Sequence, residues 1–232
     1  MDNHNSENQI QATLAGRADL DVSDVLKEAW QRCEGARLPL LLMFGILFLI
    51  TVCLNLLFQA VGLDEEKALS SLFIQLANTA VVNPFIAGVL LLAFGHLQGR
   101  SIDIKEAFNV YPMLVPILLL SVLQSLITGI GFLLLIVPGI YLSIALSLSL
   151  PLLVEKNYGI TDALKTSLNL VNKEFLSVLV LAFLSVLLIV IGFMTLVGWI
   201  ITLPYVVMIY AITYRQLAGF DLQEPSALEN PL

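Results

Sequence analysis

The chain has 232 residues, of which 58% are hydrophobic and 12% charged, against roughly 45–50% and 25% in an average soluble domain. A soluble domain of this length has one core in which to hide apolar side chains, whereas a bilayer surrounds each helix with an apolar medium, so lipid is the expected solvent. A formal net charge of −7 excludes nucleic acid as an expected partner, because neutralising phosphates takes concentrated Lys and Arg.

Residues 1–20 are polar and hold no apolar run of the signal-peptide kind, so they are expected to form a disordered tail, and the first span to serve as its own targeting signal. A membrane domain is expected over 21–218, followed by a short tail at 219–232. The first predicted element is a short amphipathic helix opening at Ser23-Asp24-Val25-Leu26-Lys27. Its residues Leu26, Ala29, Trp30 and Cys33 are spaced to share one face. Between Asp21 and Arg37 four acidic residues face three basic ones, so burial of Trp30 and its neighbours, rather than attraction to anionic lipid, is expected to anchor this helix.

No Asp, Glu, Lys or Arg occurs between Leu38 and Leu63, Ala68 and Gly99, Ala107 and Val154, or Phe175 and Tyr214. A span needs roughly 20 apolar residues to cross a core about 30 Å thick. The four runs therefore divide into six spans, near 39–60, 70–96, 113–135, 138–154, 175–194 and 198–216. The two longer runs should turn at Val137-Pro138-Gly139 and between Gly192 and Gly198. Ten of the eleven Lys and Arg residues lie on the side that holds both chain ends, and only Lys67, beside Asp64-Glu65-Glu66, lies on the other. The positive-inside rule then puts both termini in the cytoplasm. Cys33 and Cys53 fall on opposite sides of the membrane boundary and are expected to be free thiols.

The opening of the first helix recurs twice. Ser101-Ile102-Asp103-Ile104-Lys105 and Thr161-Asp162-Ala163-Leu164-Lys165 align with it without a gap. The match continues through Ile104, Ala107, Phe108 and Tyr111, and through Leu164, Ser167, Leu168 and Val171. Each copy begins with Ser or Thr suited to an N-cap and puts an acidic residue in the first turn, where the helix dipole favours it. The expectation is an all-α bundle of six spans with three short cytoplasmic amphipathic helices, built as a threefold internal repeat in parallel topology. Such a repeat fits a scaffold made by duplication; it also fits a bundle arranged around a central path, as in some transporters.

No Asp, Glu, Lys or Arg falls within the body of a predicted span, His96 and Arg215 lying at span ends, so the polar candidates are neutral. On the second span Ser71, Gln75, Asn78 and Thr79 share a face, with Asn83 on its flank and Pro84 just after; on the third, Ser121, Gln124, Ser125 and Thr128 do likewise. Amides and hydroxyls in hydrocarbon need partners, so the two faces should turn inward and meet. They read either as interhelical hydrogen bonds or as the lining of a polar cavity. Gly139, Ser143 and Ser147 recur every fourth residue on the fourth span as a small-residue packing seam. Glu155 and Lys156 read as a solvated interfacial pair, and His96 as an interfacial residue. Neither His4 nor His96 has ligands at metal-binding spacing, and no phosphate-binding glycine loop or nucleophile–base pair is present, so no cofactor, metal or catalytic role is expected.

The run Val137-Pro138-Gly139-Ile140-Tyr141-Leu142, then Pro151-Leu152-Leu153-Val154-Glu155, then Gly159-Ile160-Thr161-Asp162-Ala163-Leu164-Lys165-Thr166-Ser167 resembles the YciC-type bacterial inner-membrane proteins. It is also similar to the membrane domain fused to some glycerophosphodiester phosphodiesterases. The specific match covers about residues 136–175, with a looser likeness of span order over 22–217. The resemblance implies a multi-pass inner-membrane protein and carries no activity onto particular residues. The expected role is non-enzymatic, structural or envelope-maintaining, with membrane lipids and other membrane proteins as partners; the alternative is a passive transporter or lipid-translocating protein using the polar faces.

Overall fold

In the computed structural model, which describes residues 3–16, 20–63, 68–100, 103–195 and 198–220, the chain is helical with no strand among the described residues. The elements are α1 (Asn3–Leu14), α2 (Val22–Ala60), α3 (Ala68–Leu97), a 3-10 helix (Ile104–Met113), α4 (Leu114–Leu134), α5 (Ile136–Ala145), α6 (Ser149–Glu155), α7 (Ile160–Lys173), α8 (Phe175–Met194) and α9 (Trp199–Ala218). Six stretches are long and apolar enough to cross a membrane: Val22–Ala60, Ser70–Leu97, Ile104–Leu134, Ile136–Glu155, Phe175–Met194 and Trp199–Ala218. The protein is thus a multi-pass helical membrane protein, and the predicted span borders recur within two residues, except that the first and third stretches begin at Val22 and Ile104 rather than near 39 and 113. Arg17, the Asp64–Lys67 cluster, Ser101, Ile102 and the tail from residue 221 lie outside the described residues.

Several expectations are corrected. The polar N-terminal tail contains a helix, α1, because it has a docking partner. The Gln9 side-chain amide donates to the Gln216 carbonyl at 2.7 Å and the Thr13 hydroxyl to the Leu217 carbonyl at 2.8 Å. Those carbonyls end α9 and have no intrahelical donor, so α1 caps α9. The first amphipathic segment is not a separate helix: it runs unbroken through Pro39 into the span, giving α2 a length of roughly 58 Å at about 1.5 Å per residue. Its cap is Asp21, whose carboxylate accepts from the Ser23 and Asp24 amides at 2.7 and 3.4 Å. Asp103 caps the 3-10 helix through the Lys105 amide at 3.0 Å, and Gly159 is the N-cap of α7, so Ser23 and Thr161 lie inside their helices. A carboxylate ahead of the first turn satisfies free amides and complements the dipole at once. Trp30 is 51% exposed; its edge meets the Tyr205 ring at 5.7 Å while Ala29 and Cys33 take the buried positions.

The turn after α4 falls at Leu135, whose backbone is extended (φ −163°, ψ 155°), three residues before Pro138. Pro138 sits in the first turn of α5, where a missing N–H removes no helical bond. Gly131 and Gly139 bring the two arms together: a Cβ added to Gly131 would lie 3.1 Å from the Gly139 Cα. The fourth span is not one helix but two, α5 and α6, separated at residues 146–148. Pro151 explains part of this. Without an N–H it leaves the Ser147 carbonyl without its helical donor, and the Tyr210 hydroxyl of α9 donates there at 2.5 Å. Ser167 of α7 completes the repair, donating to the Ala145 carbonyl at 2.8 Å and accepting from the Leu148 amide at 3.1 Å.

The membrane helices form three hairpins, α2–α3, α4–α5/α6 and α8–α9, with their turns at one end, here the tips, and the chain ends at the other, the base. Packing is concentrated at the base. Along α2 the buried positions run from Val25 to Met43, and beyond them only Phe58 is buried; along α9 they begin at Pro204. The tips face outward, with Leu133 86% and Phe193 66% exposed. Each tip is held within its own hairpin, by reciprocal amide bonds between Asn55 and Asn78 in the first and by close approach of Gly192 to Thr202 in the third.

Two interhairpin contacts repeat. Phe85, after Pro84, meets the Phe108 ring edge-to-face (6.4 Å, 88°), and Tyr205, after Pro204, meets Trp30 in the same way (5.7 Å, 83°). Phe94, Leu97 and Gly99 recur at identical spacing as Tyr214, Leu217 and Gly219, both glycines at positive φ (79° and 67°). The 3-10 helix docks where α3 has Gly88, since any Cβ there would overlap the Ala107 carbonyl.

Candidate functional site

The hairpins meet at a polar recess near the middle of the bundle. Asn83, one residue before Pro84 on α3, donates from its amide to the Ser121 hydroxyl of α4 at 2.5 Å, and Ser121 in turn donates to the Ile117 carbonyl at 2.7 Å. One turn along α4, Gln124 reaches the break in the fourth span and donates to the Leu146 carbonyl at 3.1 Å. Two cavities adjoin this row of residues. One, of about 280 Å³, is lined by Asn83, Ser121, Gln124, Ser125, Thr128 and Ser143. The other, of about 360 Å³, shares Asn83, Ser121 and Gln124 with the first and is closed by Ser147 and Leu150 of the second hairpin and Val206, Val207 and Tyr210 of the third. Neither lining includes Asp, Glu, Lys, Arg or His.

The expected meeting of polar faces thus divides in two. Asn83 and Ser121 join, and Gln124 and Thr128 line the recess with them. Gln75, Asn78 and Thr79 do not reach it. Asn78 pairs with Asn55 of α2 at 3.3 and 3.4 Å, Thr79 donates to the Gln75 carbonyl at 2.8 Å, and Gln75 is exposed. The small-residue series divides as well. Gly139 faces Gly131 and Phe132, Ser143 faces the recess from α5, and Ser147 lies in the break beyond that helix. Asn55 was not singled out from sequence, although an amide in an apolar run carried the signal; Tyr210, an aromatic residue on the last span, gained its hydrogen-bonding role only through Pro151, on another hairpin.

A second polar group lies at the base and corrects the expected solvated pair. Glu155 is 8% exposed and the Lys156 side chain 2%, with the Lys156 Nζ 3.5 Å from a Glu155 oxygen. The Tyr214 hydroxyl donates to that oxygen at 2.7 Å, and the Phe94 ring stacks on Tyr214 at 4.9 Å. The break in the fourth span draws α6 in against α3, α4 and α7, with Tyr214 reaching it from α9, so its end is covered rather than left at the surface. Desolvation of such a pair offsets much of its attraction, so it is a weak source of stability. His96 also has a defined partner: its Nε2 lies 2.9 Å from the Arg32 carbonyl and bridges α3 to α2. Arg215 joins α9 to α2 through Glu28 at 2.6 Å. Cys33 is buried and Cys53 exposed, both free.

Among the described residues no group of three or more His, Cys, Asp or Glu is placed to hold a metal ion. The chemistry on offer in the recess is uncharged hydrogen bonding within an apolar frame.

The chain is similar to a UPF0259 membrane protein of Wigglesworthia glossinidia brevipalpis, 30% identical over 142 residues, which covers 58% of this chain and 54% of that protein. It is also similar to a UPF0259 membrane protein of Pectobacterium carotovorum subsp. carotovorum, 35% identical over 93 residues, or 40% of this chain and 36% of that one. The chain thus spans about half the length of the first relative and about a third of the second. No family profile matches it, and no solved structure does. The bacterial source of both relatives agrees with a bacterial membrane as the location.

Proposed function

We propose that this chain is a non-enzymatic protein of the bacterial inner membrane, with both termini in the cytoplasm, that maintains the envelope by holding lipids and neighbouring membrane proteins. The observation that carries this reading is the shape of the bundle: tight at the base, open at the tips, with an uncharged hydrogen-bonding recess where the hairpins part. Lipid fills the space between the tips in any bilayer, and the recess gives that lipid something specific to bind. Orientation rests on the ten Lys and Arg residues at the base. An engineered Ser23→Cys, at an exposed position, should react with a membrane-impermeant thiol reagent only after the cell is opened; Cys33 is too well buried to report.

The threefold design belongs to the same reading. It is supported by the three aligned openings, by Trp30 and Phe108 occupying one repeat position, and by their matching contacts with Tyr205 and Phe85. Kinship with the YciC type, and through it with the membrane domain of some glycerophosphodiester phosphodiesterases, rests on the motifs between residues 136 and 175.

A second reading, passive passage of lipid along the recess, is favoured by the broken fourth span, which puts polar backbone at membrane depth where it lines a cavity. Reconstitution separates the two. Vesicles holding the purified chain should move a fluorescent phospholipid between leaflets no faster than empty vesicles if the protein only holds lipid. Accelerated movement, lost in Gln124→Leu, would replace the first reading by the second.

A further inference from the structure

From the donors and acceptors left in the recess, we infer that it binds an uncharged lipid whose head carries a free hydroxyl, such as a diacylglycerol or a long-chain prenol. The inference rests on the lipid-holding reading and names the lipid.

The absence of charge in the lining selects first. A phosphate head placed among Asn83, Ser121, Gln124 and Ser143 would leave water without a cation to meet it, and an unpaired buried charge is far more costly than a buried hydroxyl. The direction of the hydrogen bonds selects next. Thr128 donates to the Gln124 carbonyl at 2.5 Å, Ser143 to the Gly139 carbonyl at 2.8 Å, Tyr210 to the Ser147 carbonyl and Ser121 to the Ile117 carbonyl. Each of these four hydroxyl protons is thereby turned into the protein and its lone pairs towards the space, while Ser125 and Ser147 keep a free proton each. The side-chain carbonyls of Asn83 and Gln124 add acceptors, while one amide proton of each is already engaged with Ser121 or Leu146. The recess is therefore richer in acceptors than in donors. A head that donates, as a hydroxyl does, fits it better than a ketone, an ester or an ether alone. The tails have apolar surface nearby, since Leu126, next to Ser125 on α4, and Ile140, one turn before Ser143 on α5, are exposed.

The test uses the full-length chain in nanodiscs of phosphatidylethanolamine and phosphatidylglycerol, with a diacylglycerol bearing a photoreactive acyl chain as probe. Cross-links should map to α3, α4 and α5. Unlabelled diacylglycerol and a long-chain prenol are the two competing sources of the hydroxyl, and whichever suppresses labelling more strongly is the preferred one. Triacylglycerol, which has the same chains and no hydroxyl, should compete about tenfold less well, as expected for one lost hydrogen bond in an apolar site. Ser125→Phe, at an exposed lining position, should abolish labelling while the protein stays monodisperse; Asn83→Leu should do the same but disturbs a helix contact. Labelling that survives Ser125→Phe, or equal competition by triacylglycerol, overturns the inference. Competition by added phosphatidylglycerol alone overturns it too, yet leaves the lipid-holding reading standing. If no lipid probe labels the recess, both fail together.

Discussion

The break in the fourth span makes a quantitative prediction about two residues on different hairpins. Pro151 deprives the Ser147 carbonyl of its helical donor, and the Tyr210 hydroxyl supplies a substitute at 2.5 Å. Tyr210→Phe keeps the ring and removes only that donor, leaving a carbonyl in an apolar setting with no amide four residues on to turn to. An unsatisfied buried acceptor costs about 1–3 kcal/mol in soluble proteins, while interhelical hydrogen bonds in membrane proteins average nearer 0.6 and reach about 1.7. The upper part of the membrane range applies here, because proline excludes the usual rescue by the helix itself, so a loss of about 1–1.5 kcal/mol is expected. The background matters more than the absolute value. In Pro151→Ala the residue at 151 regains an N–H able to reach the Ser147 carbonyl, so Tyr210→Phe should cost there only a few tenths of a kcal/mol, a coupling of about 1 kcal/mol. The assay is reversible unfolding of the detergent-solubilised protein by SDS, followed by circular dichroism, for the four members of the cycle. Equal costs of Tyr210→Phe in both backgrounds would refute the claim that Pro151 creates the acceptor Tyr210 fills.

Three further outcomes follow from the same geometry. Gly88→Ala should destabilise the protein by about 1–3 kcal/mol in SDS unfolding, because the added methyl overlaps the Ala107 backbone and the 3-10 helix must shift to make room. Asn55→Leu and Asn78→Leu should each cost about 0.6 kcal/mol, and the double variant little more than either, since each amide is the other's partner; additive costs would show that they act separately. Gln9→Ala with Thr13→Val should release α1 from the end of α9, seen as faster proteolysis near the N-terminus with the membrane bundle intact.

The spans were legible because hydrocarbon imposes a rule that acts locally: a crossing helix needs an uninterrupted apolar run, and the chain shows its runs directly. The turn before α5 was misplaced by three residues for an equally local reason. Proline stops a helix only from inside it, and at the first turn Pro138 is compatible with helix, so the same residue serves as a breaker or a starter according to what precedes it. The break at 146–148 was not legible from Pro151 alone. A proline in a membrane helix opens it only where other elements take up the released backbone groups, and here Ser167, Gln124 and Tyr210 come from three of them. Glu155 was misread for the same cause: its burial depends on where the broken span puts α6, not on its neighbours in sequence. Trp30 shows the converse, since helical spacing found its face but not which member of that face would sit at the edge.

The acceptor-rich character of the recess is itself a consequence of building it from helices in lipid. A Ser or Thr on a membrane helix has no water to donate to, and its own backbone carbonyl four residues earlier is within reach, as Thr128, Ser143 and Ser121 show. Its proton goes inward and its lone pairs are left facing whatever space the helix borders. Donors reach such a space chiefly from amides, and Asn83 and Gln124 each spend one proton on structure, Asn83 on joining the first hairpin to the second and Gln124 on the break within the second. Hence the groups that fasten the three hairpins at their junction also set the polarity of the cavity between them. Exchanging Ser125 for Asn would add a donor at the mouth without touching that fastening, and so should shift preference from a hydroxyl-bearing lipid towards one that only accepts.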